Sequence, residues 1–154
     1  MQITPYPSPE TVRELLAEAG LPTEDIDPHL PHFLACGEPH QPTGIVGLEL
    51  HGREALLRSL VVHPLARGRG CGQTLVEAAE SHAEHHGATR LYLLTETAAA
   101  FFARQGYTPL SRDRAPASIR NSREFSALCP ASAEFMTKSL ERTSPTKPTQ
   151  GGRS

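Results

Sequence analysis

A glycine-rich turn that carries two arginines is the segment of this chain best suited to binding a ligand. It has the sequence Arg67-Gly68-Arg69-Gly70-Cys71-Gly72 and joins an apolar, strand-like run to an amphipathic helical pattern. The first N–H groups of a helix have no partner within the helix and carry partial positive charge. Glycines let a phosphate approach that backbone closely. The turn is therefore predicted to hold an anion such as a pyrophosphate, and the alternative is a purely structural turn.

Two widespread phosphate-binding loops do not fit this turn. A Walker loop is excluded because no Gly-Lys-Ser or Gly-Lys-Thr follows the glycines. The dinucleotide pattern Gly-x-Gly-x-x-Gly is excluded because Gly72 comes one residue early and no βαβ unit precedes it.

The composition fits one folded domain that binds a small anionic ligand. Hydrophobic residues make up 38% of the chain, which predicts a domain over residues 1–140, whereas residues 141–154 lack apolar residues and are predicted to be disordered. Residues 1–50 carry one basic and eight acidic side chains, and residues 51–154 carry 14 basic and nine acidic ones. Nucleic acid is a poor partner for the basic part, because there is no Lys-rich run and aromatic residues make up only 5%.

Nothing in the sequence indicates a membrane or an oxidising compartment. No apolar run approaches the roughly 20 residues of a membrane span, and the N-terminus lacks a signal-peptide pattern. The three cysteines, Cys36, Cys71 and Cys129, form no CxxC pair. We therefore expect a cytoplasmic protein without disulfides.

The apolar patterns predict an α/β (α+β) fold in a single domain. Helices are predicted at residues 9–19, capped by Ser8, at 71–86 and at 98–104, with a short helix capped by Thr23 and a helical turn at 118–127. Strands are predicted at 32–36, 45–51, 54–63, 91–94, 107–110 and 134–140, with a turn at 37–44 and a tight hairpin at Gly52-Arg53. The order of these elements predicts a mixed sheet of about six or seven strands flanked by helices.

Two blocks of sequence resemble the acetyl-CoA-binding region of GNAT acetyltransferases. The first is Leu60-Val61-Val62-His63-Pro64-Leu65-Ala66-Arg67-Gly68-Arg69-Gly70-Cys71-Gly72, which is similar to the family's R-x-x-G-x-G/A pattern after a strand. The second is the run FFARQGY at residues 101–107. The resemblance covers about residues 45–110 and implies the GNAT fold, acetyl-CoA as the acyl donor and no metal.

The resemblance also implies roles for single positions. The backbones of Leu60, Val61 and Val62 would bind the pantetheine arm and polarise the thioester carbonyl. The pyrophosphate would lie beside Arg67, against Gly68, Arg69, Gly70, Cys71, Gly72 and Gln73.

One position departs from the family's pattern. Many members carry a Tyr, four residues before the glycine of the second block, that protonates the leaving thiolate. This chain has Phe102 there, which would still contact the cofactor. Either the thiolate leaves without a proton donor, or Thr95, Thr97 or Tyr107 donates the proton.

An amine acceptor must lose a proton, and two acids are candidate bases. Glu49 interrupts an apolar strand, where burial could raise the pKa of a carboxyl group, or it faces solvent from an edge strand. Glu96 follows the apolar strand beside the expected thioester, or it is a solvated turn residue.

Basic residues supply the candidate acceptor site. Arg58, with its neighbour Ser59, could bind a substrate carboxylate, or its side chain could extend to solvent. Four further arginines lie in the irregular segment and form either a solvated surface or one wall of the acceptor site. They are Arg112, Arg114, Arg120 and Arg123. His82 and His86 have the spacing of metal ligands, but no third ligand is apparent, so an exposed helix surface is predicted.

A finer resemblance concerns the acceptor. The runs LLRSLVV, LYLLTETAAAFFARQGY and REFSALCPASAEFM are similar to a GNAT subgroup associated with arsenic resistance. The run LLTETAAAFFARQGY also resembles the acetyltransferase domain of N-acetylglutamate synthases. These resemblances imply N-acetylation of a small amino acid or an analogue by a monomer or homodimer. The alternatives are an acetyl-CoA-binding regulatory protein and a protein N-terminal acetyltransferase.

Overall fold

A seven-stranded mixed sheet organises the chain, whose computed structural model describes residues 3–5, 7–21, 23, 26–38, 41–122 and 133–140. The strands are β1 (Ile3–Pro5), β2 (Phe33–Glu38), β3 (Gln41–His51), β4 (Glu54–Val62), β5 (Arg90–Thr95), β6 (Thr108–Pro109) and β7 (Glu134–Ser139). Their order in the sheet is β1-β2-β3-β4-β5-β7-β6, and only the central pair, β4 and β5, is parallel. The predicted α/β fold with a mixed sheet is confirmed.

Helices cover both faces of this sheet. The helices are α1 (Pro9–Glu18), α2 (Cys71–His85), α3 (Ala99–Arg104) and α4 (Ala117–Arg120), and a 3-10 helix covers Asp27–His32. On one face, α2 buries the predicted stripe of Leu75, Val76, Ala79 and Ala83. On the other face, α1 packs over β2 and β3, and α4 packs over β4, β5 and β7. The central strands are therefore enclosed on both sides, which explains their continuous apolar runs.

The predicted start of α1 and the predicted hairpin are also confirmed. The Ser8 hydroxyl accepts a hydrogen bond from the Thr11 N–H at 3.1 Å, and Pro9 opens the helix. The hairpin joins β3 and β4 through Gly52, whose φ of +73° favours glycine. In this register Glu49 lies opposite Leu56, and Gly47 lies opposite Arg58.

At the start of the chain the sequence predictions missed one element and misplaced another. Strand β1 was not predicted, because three residues are too few to show an alternating pattern, yet it pairs with β2 along the edge of the sheet. Thr23 does not cap a helix, since the 3-10 helix begins at Asp27 with Ile26 in the N-cap position. Pro31 lies inside this helix and cannot donate the N–H that an α-helix would need there.

The predicted turn at 37–44 is wrong as well. β2 continues to Glu38 and β3 already begins at Gln41. Pro42 is compatible with the strand because the ladder between β3 and β4 begins only at Gly44, so Pro42 pairs with β2 alone.

Several sequence predictions concern residues outside the described ranges. They are the tail at 141–154, Arg123, Cys129 and the later part of the helical turn predicted at 118–127, of which α4 is the beginning. Among the helices that are described, none combines the length and the apolar character that crossing a membrane requires.

Candidate functional site

The two central strands separate partway along their length. The parallel register of β4 and β5 ends where Leu57 lies opposite Leu93. Beyond that point β4 stays paired with β3 as far as Val62, and β5 stays paired with β7 as far as Thr95. A wedge-shaped opening therefore forms between β4 and β5, where the backbone of β4 is no longer in register with β5.

A β-bulge accompanies this separation. Two residues, Ser59 and Leu60, lie between the β4 positions that pair with Gly47 and Ile45, whereas β3 has a single residue there. Ser59 has a φ of +60° and is the one non-glycine residue with positive φ in the described ranges. Such a bulge bends a strand and re-aims its side chains, so β4 turns away from β5 at this point.

A first cavity of about 340 Å³ lies in the opening between β4 and β5. Seven of the residues that the sequence analysis selected line it: Arg58, Ser59, Leu60, Thr95, Glu96, Thr97 and Phe102. They come from β4, from the end of β5 and from α3, so the fold brings together side chains that are up to 44 residues apart in the sequence.

A second cavity of about 590 Å³ adjoins the first at the N-terminus of α2. From the glycine-rich segment it is lined by Val62, Arg67, Gly68, Gly70, Cys71, Gly72 and Gln73, and it shares Leu60 and Ala98 with the first cavity. Two arginines, Arg67 and Arg104, lie in its wall, and none of the described acidic residues does. The cavity therefore suits an anionic ligand.

Two of the three glycines that line this second cavity are required by the backbone conformation. Gly68 and Gly70 have φ values of +82° and +83°, which disfavour any residue with a Cβ. A Cβ placed on either one would meet no atom of the described residues within 4 Å, so the space above them can receive a ligand. Gly70 is the N-cap of α2, and no side chain in the described part of the chain caps this helix, so its first N–H groups could bind an anion.

Helix α3 supplies lining residues that the sequence analysis missed. Phe101, Arg104 and Gln105 lie in the wall of the second cavity. Their spacing of three and four residues places them on one face of α3, which is the signal that could have identified them.

Three predicted cofactor-binding residues lie differently from the rest. Val61 packs on the opposite face of the sheet, against the cluster that holds α1. Arg69 is exposed and lies outside both cavity walls. Cys71 lines the second cavity but is itself buried, with its Sγ 3.7 Å from the Thr43 Oγ1, so its side chain serves packing.

Glu49 and Arg58 form a buried ion pair. Nη1 of Arg58 donates a hydrogen bond to Oε2 of Glu49 at 2.9 Å, and its Nε donates to the Ser59 Oγ at 3.0 Å. His51 and His29 also approach the Glu49 carboxylate, at 3.3 Å and 3.7 Å. Glu49 is 2% exposed and Arg58 is 1% exposed, which excludes the solvent-facing alternatives for both. Glu49 lies outside the cavity walls, so it contacts the site through Arg58.

The remaining candidates lie at the end of β5. The Thr95 hydroxyl accepts a hydrogen bond from the Ala98 N–H at 3.0 Å, which fixes its position and leaves its own hydrogen as a donor. Glu96 and Thr97 are exposed at the cavity wall. All three are within the opening where β4 and β5 separate.

Tyr107 does not reach either cavity. Its hydroxyl donates a hydrogen bond to Oε2 of Glu80 at 3.0 Å, and Nζ of Lys138 lies 3.0 Å from the same oxygen. Burial and, next, the negative charge of Glu80 raise the pKa of Tyr107 above its usual value. Of the candidate proton donors, Thr95 and Thr97 line the first cavity and Tyr107 does not.

Replacing Tyr107 by Phe should therefore lower stability without lowering turnover. Loss of a buried hydrogen bond to a charged partner is expected to reduce the free energy of unfolding by about 1–3 kcal/mol. Urea unfolding measures the first effect, and release of free thiol from acetyl-CoA measures the second. A tenfold loss of kcat in a fully folded Tyr107→Phe variant would return Tyr107 to the candidate proton donors.

Comparisons with known proteins agree with this geometry. The acetyltransferase (GNAT) domain family matches residues 29–109, which is more than half of the chain. Curated protein sequences give no significant match.

Solved structures share the fold at low sequence identity. N-acetylglutamate synthase from Neisseria gonorrhoeae, complexed with coenzyme A and N-acetyl-glutamate, has a TM-score of 0.77 at 20% identity; the match covers 92% of this chain and 35% of the synthase, so this chain spans about a third of it. A Mycobacterium tuberculosis protein in complex with CoA has a TM-score of 0.77 at 18% identity over 92% of this chain and 100% of that one. An aminoglycoside 6'-N-acetyltransferase complexed with coenzyme A has a TM-score of 0.70 at 15% identity over 94% and 100%.

The family match includes the opening between β4 and β5, the glycine-rich turn and α3. These elements supply most of the residues that line the two cavities. The chain therefore belongs to the GNAT family of acetyltransferases.

Proposed function

We propose that this protein transfers an acetyl group from acetyl-CoA to the amino group of a small, anionic amino acid or an analogue of one. The observation that carries the proposal is the pair of adjoining cavities. One is basic and lies at the N-terminus of α2, and the other has the buried Arg58 in its wall. A donor that lies across both would carry its phosphates at one end and its reactive carbon at the other.

Acetyl-CoA fits these two cavities in one direction. Its pyrophosphate would lie against Gly68–Gly72, where the N–H groups of α2 and the side chains of Arg67 and Arg104 supply positive charge. Its pantetheine arm would follow β4 past Leu60, which borders both cavities. The thioester would then lie near Ser59, where the bulge presents the β4 backbone to the opening.

The reaction needs one bond exchange and the removal of a proton. The neutral amine attacks the thioester carbonyl, a C–N bond forms, and the C–S bond breaks to release the CoA thiolate. Glu96 is the better placed of the two candidate bases, because it lies at the cavity wall while Glu49 lies behind Arg58. Phe102 has no hydroxyl, so another group would have to donate a hydrogen bond to the thiolate. We assign this role to Thr95, whose side chain lines the first cavity.

An anionic acceptor is proposed because of Arg58. A guanidinium group has five N–H donors in a planar arrangement, and a carboxylate at the cavity wall would gain charge-assisted hydrogen bonds from it. The resemblance to the arsenic-resistance subgroup and to N-acetylglutamate synthases extends the acceptor class to glutamate-like amino acids and their arsenic or phosphorus analogues. The cytoplasmic location and a monomeric or homodimeric state remain parts of this proposal.

An acceptor screen tests the proposal directly. Thiol release from acetyl-CoA is measured with glutamate-like amino acids, their phosphinic and arsenic analogues, polyamines, aminoglycosides and short peptides. We expect the highest kcat/KM for an anionic amino acid or analogue. Preference for polycations would contradict the acceptor class, and preference for peptides would indicate a protein N-terminal acetyltransferase. Binding of acetyl-CoA without turnover of any amine would favour the regulatory alternative, which the absence of a hydroxyl at Phe102 keeps open.

A further inference from the structure

Three histidines converge at the C-terminal end of α2, away from both cavities. His82 lies in the last turn of α2, His86 is its C-cap, and His32 ends the 3-10 helix before β2. One ring nitrogen from each lies within 4.8 Å of the other two. Only the pair on α2 is apparent in the sequence. The fold adds a third potential ligand, because it brings His32 to His82 from 50 residues away.

Two of the three rings already have the spacing of ligands of one metal ion. Nδ1 of His32 lies 3.1 Å from Nε2 of His82. Zinc binds histidine nitrogen at about 2.0–2.1 Å, so two nitrogen ligands of a tetrahedral ion are about 3.3 Å apart. The two nitrogens are thus already at the spacing of neighbouring ligands, and an ion would replace the proton that they share.

The third ring is oriented by its own helix. Nδ1 of His86 lies 2.8 Å from the backbone carbonyl oxygen of His82. Since a carbonyl oxygen can only accept, Nδ1 carries the hydrogen and the lone pair is on Nε2. A hydrogen bond from the non-ligating nitrogen to a carbonyl is the arrangement that orients metal-bound histidines in proteins.

Two of the three rings are partly buried, and burial disfavours the charged form of an imidazole. Burial, followed by the charge of the nearby His86, lowers the pKa of His82 to about 4. Burial also lowers the pKa of His32. His85 and His29 are the other titratable neighbours of these rings.

We propose that His32, His82 and His86 form a binding site for a late first-row transition metal ion, with Zn²⁺ as the first candidate and a water molecule as the fourth ligand. Imidazole ligands suit zinc, copper and nickel, whereas calcium and magnesium prefer oxygen ligands. The site lies about 16 Å along α2 from Cys71, at 1.5 Å per residue, so the ion does not touch the acyl donor. The ion instead links the C-terminal end of α2 to the 3-10 helix before β2.

Titration of the tag-free protein with ZnCl₂ tests the site without any use of catalysis. We expect one equivalent of Zn²⁺ to bind in calorimetry and to raise Tm, and we expect Co²⁺ to give the visible absorption of a tetrahedral site. His86→Gln and His82→Gln should each weaken Zn²⁺ binding at least tenfold. His85→Gln is the matched control, because His85 is next to His86 in sequence but outside the cluster, and its affinity should stay within twofold.

Several outcomes would overturn the proposal. The first is that the unmodified protein does not bind Zn²⁺. The second is that His85→Gln loses as much Zn²⁺ affinity as the cluster variants do. The third is that the triple variant His32→Gln, His82→Gln, His86→Gln binds Zn²⁺ as well as the unmodified protein. Of the three histidines His86 is the exposed one, so its replacement should affect folding least. Far-UV circular dichroism and cooperative unfolding verify that each variant is folded. An equal response to Mg²⁺ would also contradict a histidine site.

Discussion

Replacement of Gly70 by Asp is expected to abolish the increase in Tm that acetyl-CoA causes in the unmodified protein. A ligand of the native state stabilises it by mass action, so loss of binding removes the increase. The new carboxylate would occupy the open space above Gly70 and would repel the pyrophosphate at the N-terminus of α2. Thermal unfolding with and without acetyl-CoA measures the effect.

Gly52→Asp is the matched control for this experiment. Gly52 also has a positive φ, +73°, and no atom within 4 Å of a Cβ, but it lies in the β3–β4 hairpin and lines neither cavity. Both variants lose up to about 1–2 kcal/mol of stability from the left-handed backbone conformation. Only Gly70→Asp should lose the response to acetyl-CoA. If the unmodified protein shows no response, acetyl-CoA is not its donor.

Replacement of Arg58 by Lys should raise the KM for the acceptor at least tenfold while it changes the affinity for acetyl-CoA less than twofold. Lysine keeps the positive charge but loses the planar fork that can bind a carboxylate with two parallel hydrogen bonds. Arg58 lies in the wall of the first cavity and outside the wall of the second, so the phosphate site should not respond. Steady-state thiol release with varied acceptor, together with the Tm shift by acetyl-CoA, separates the two effects.

The ion pair with Glu49 makes a stability control necessary. Glu49→Gln keeps the shape of the side chain but removes the negative charge that pairs with the buried Arg58, and loss of one partner of a buried pair costs about 3–5 kcal/mol. This variant should therefore lose stability. Because Glu49 is not at the cavity wall, the KM for the acceptor should change only if Arg58 moves. If both variants lower kcat/KM only in proportion to the folded fraction, with an unchanged KM, Arg58 has a structural role and the anionic-acceptor proposal fails.

Local patterns in the sequence were sufficient to predict the glycine-rich turn and the helix that follows it. The glycines of residues 67–72 and the apolar stripe of α2 are near neighbours along the chain, and helix periodicity alone relates them. The hairpin at Gly52 also determined that Glu49 and Arg58 lie on the same face of adjacent strands, since its register follows from the length of the turn. The sequence did not show whether that face is covered.

Only the tertiary structure decided the features that depend on contacts between distant segments. The sequence left open whether Glu49 and Arg58 face solvent, and the folded chain buries both and joins them in an ion pair. The separation of β4 from β5 depends on which strand each one keeps as its partner, β3 or β7, and no local pattern encodes that choice. His32 reached His82 and His86 in the same way. Backbone periodicity acts over a few residues and is visible in the sequence, whereas burial and the meeting of side chains 50 residues apart arise only when the chain packs.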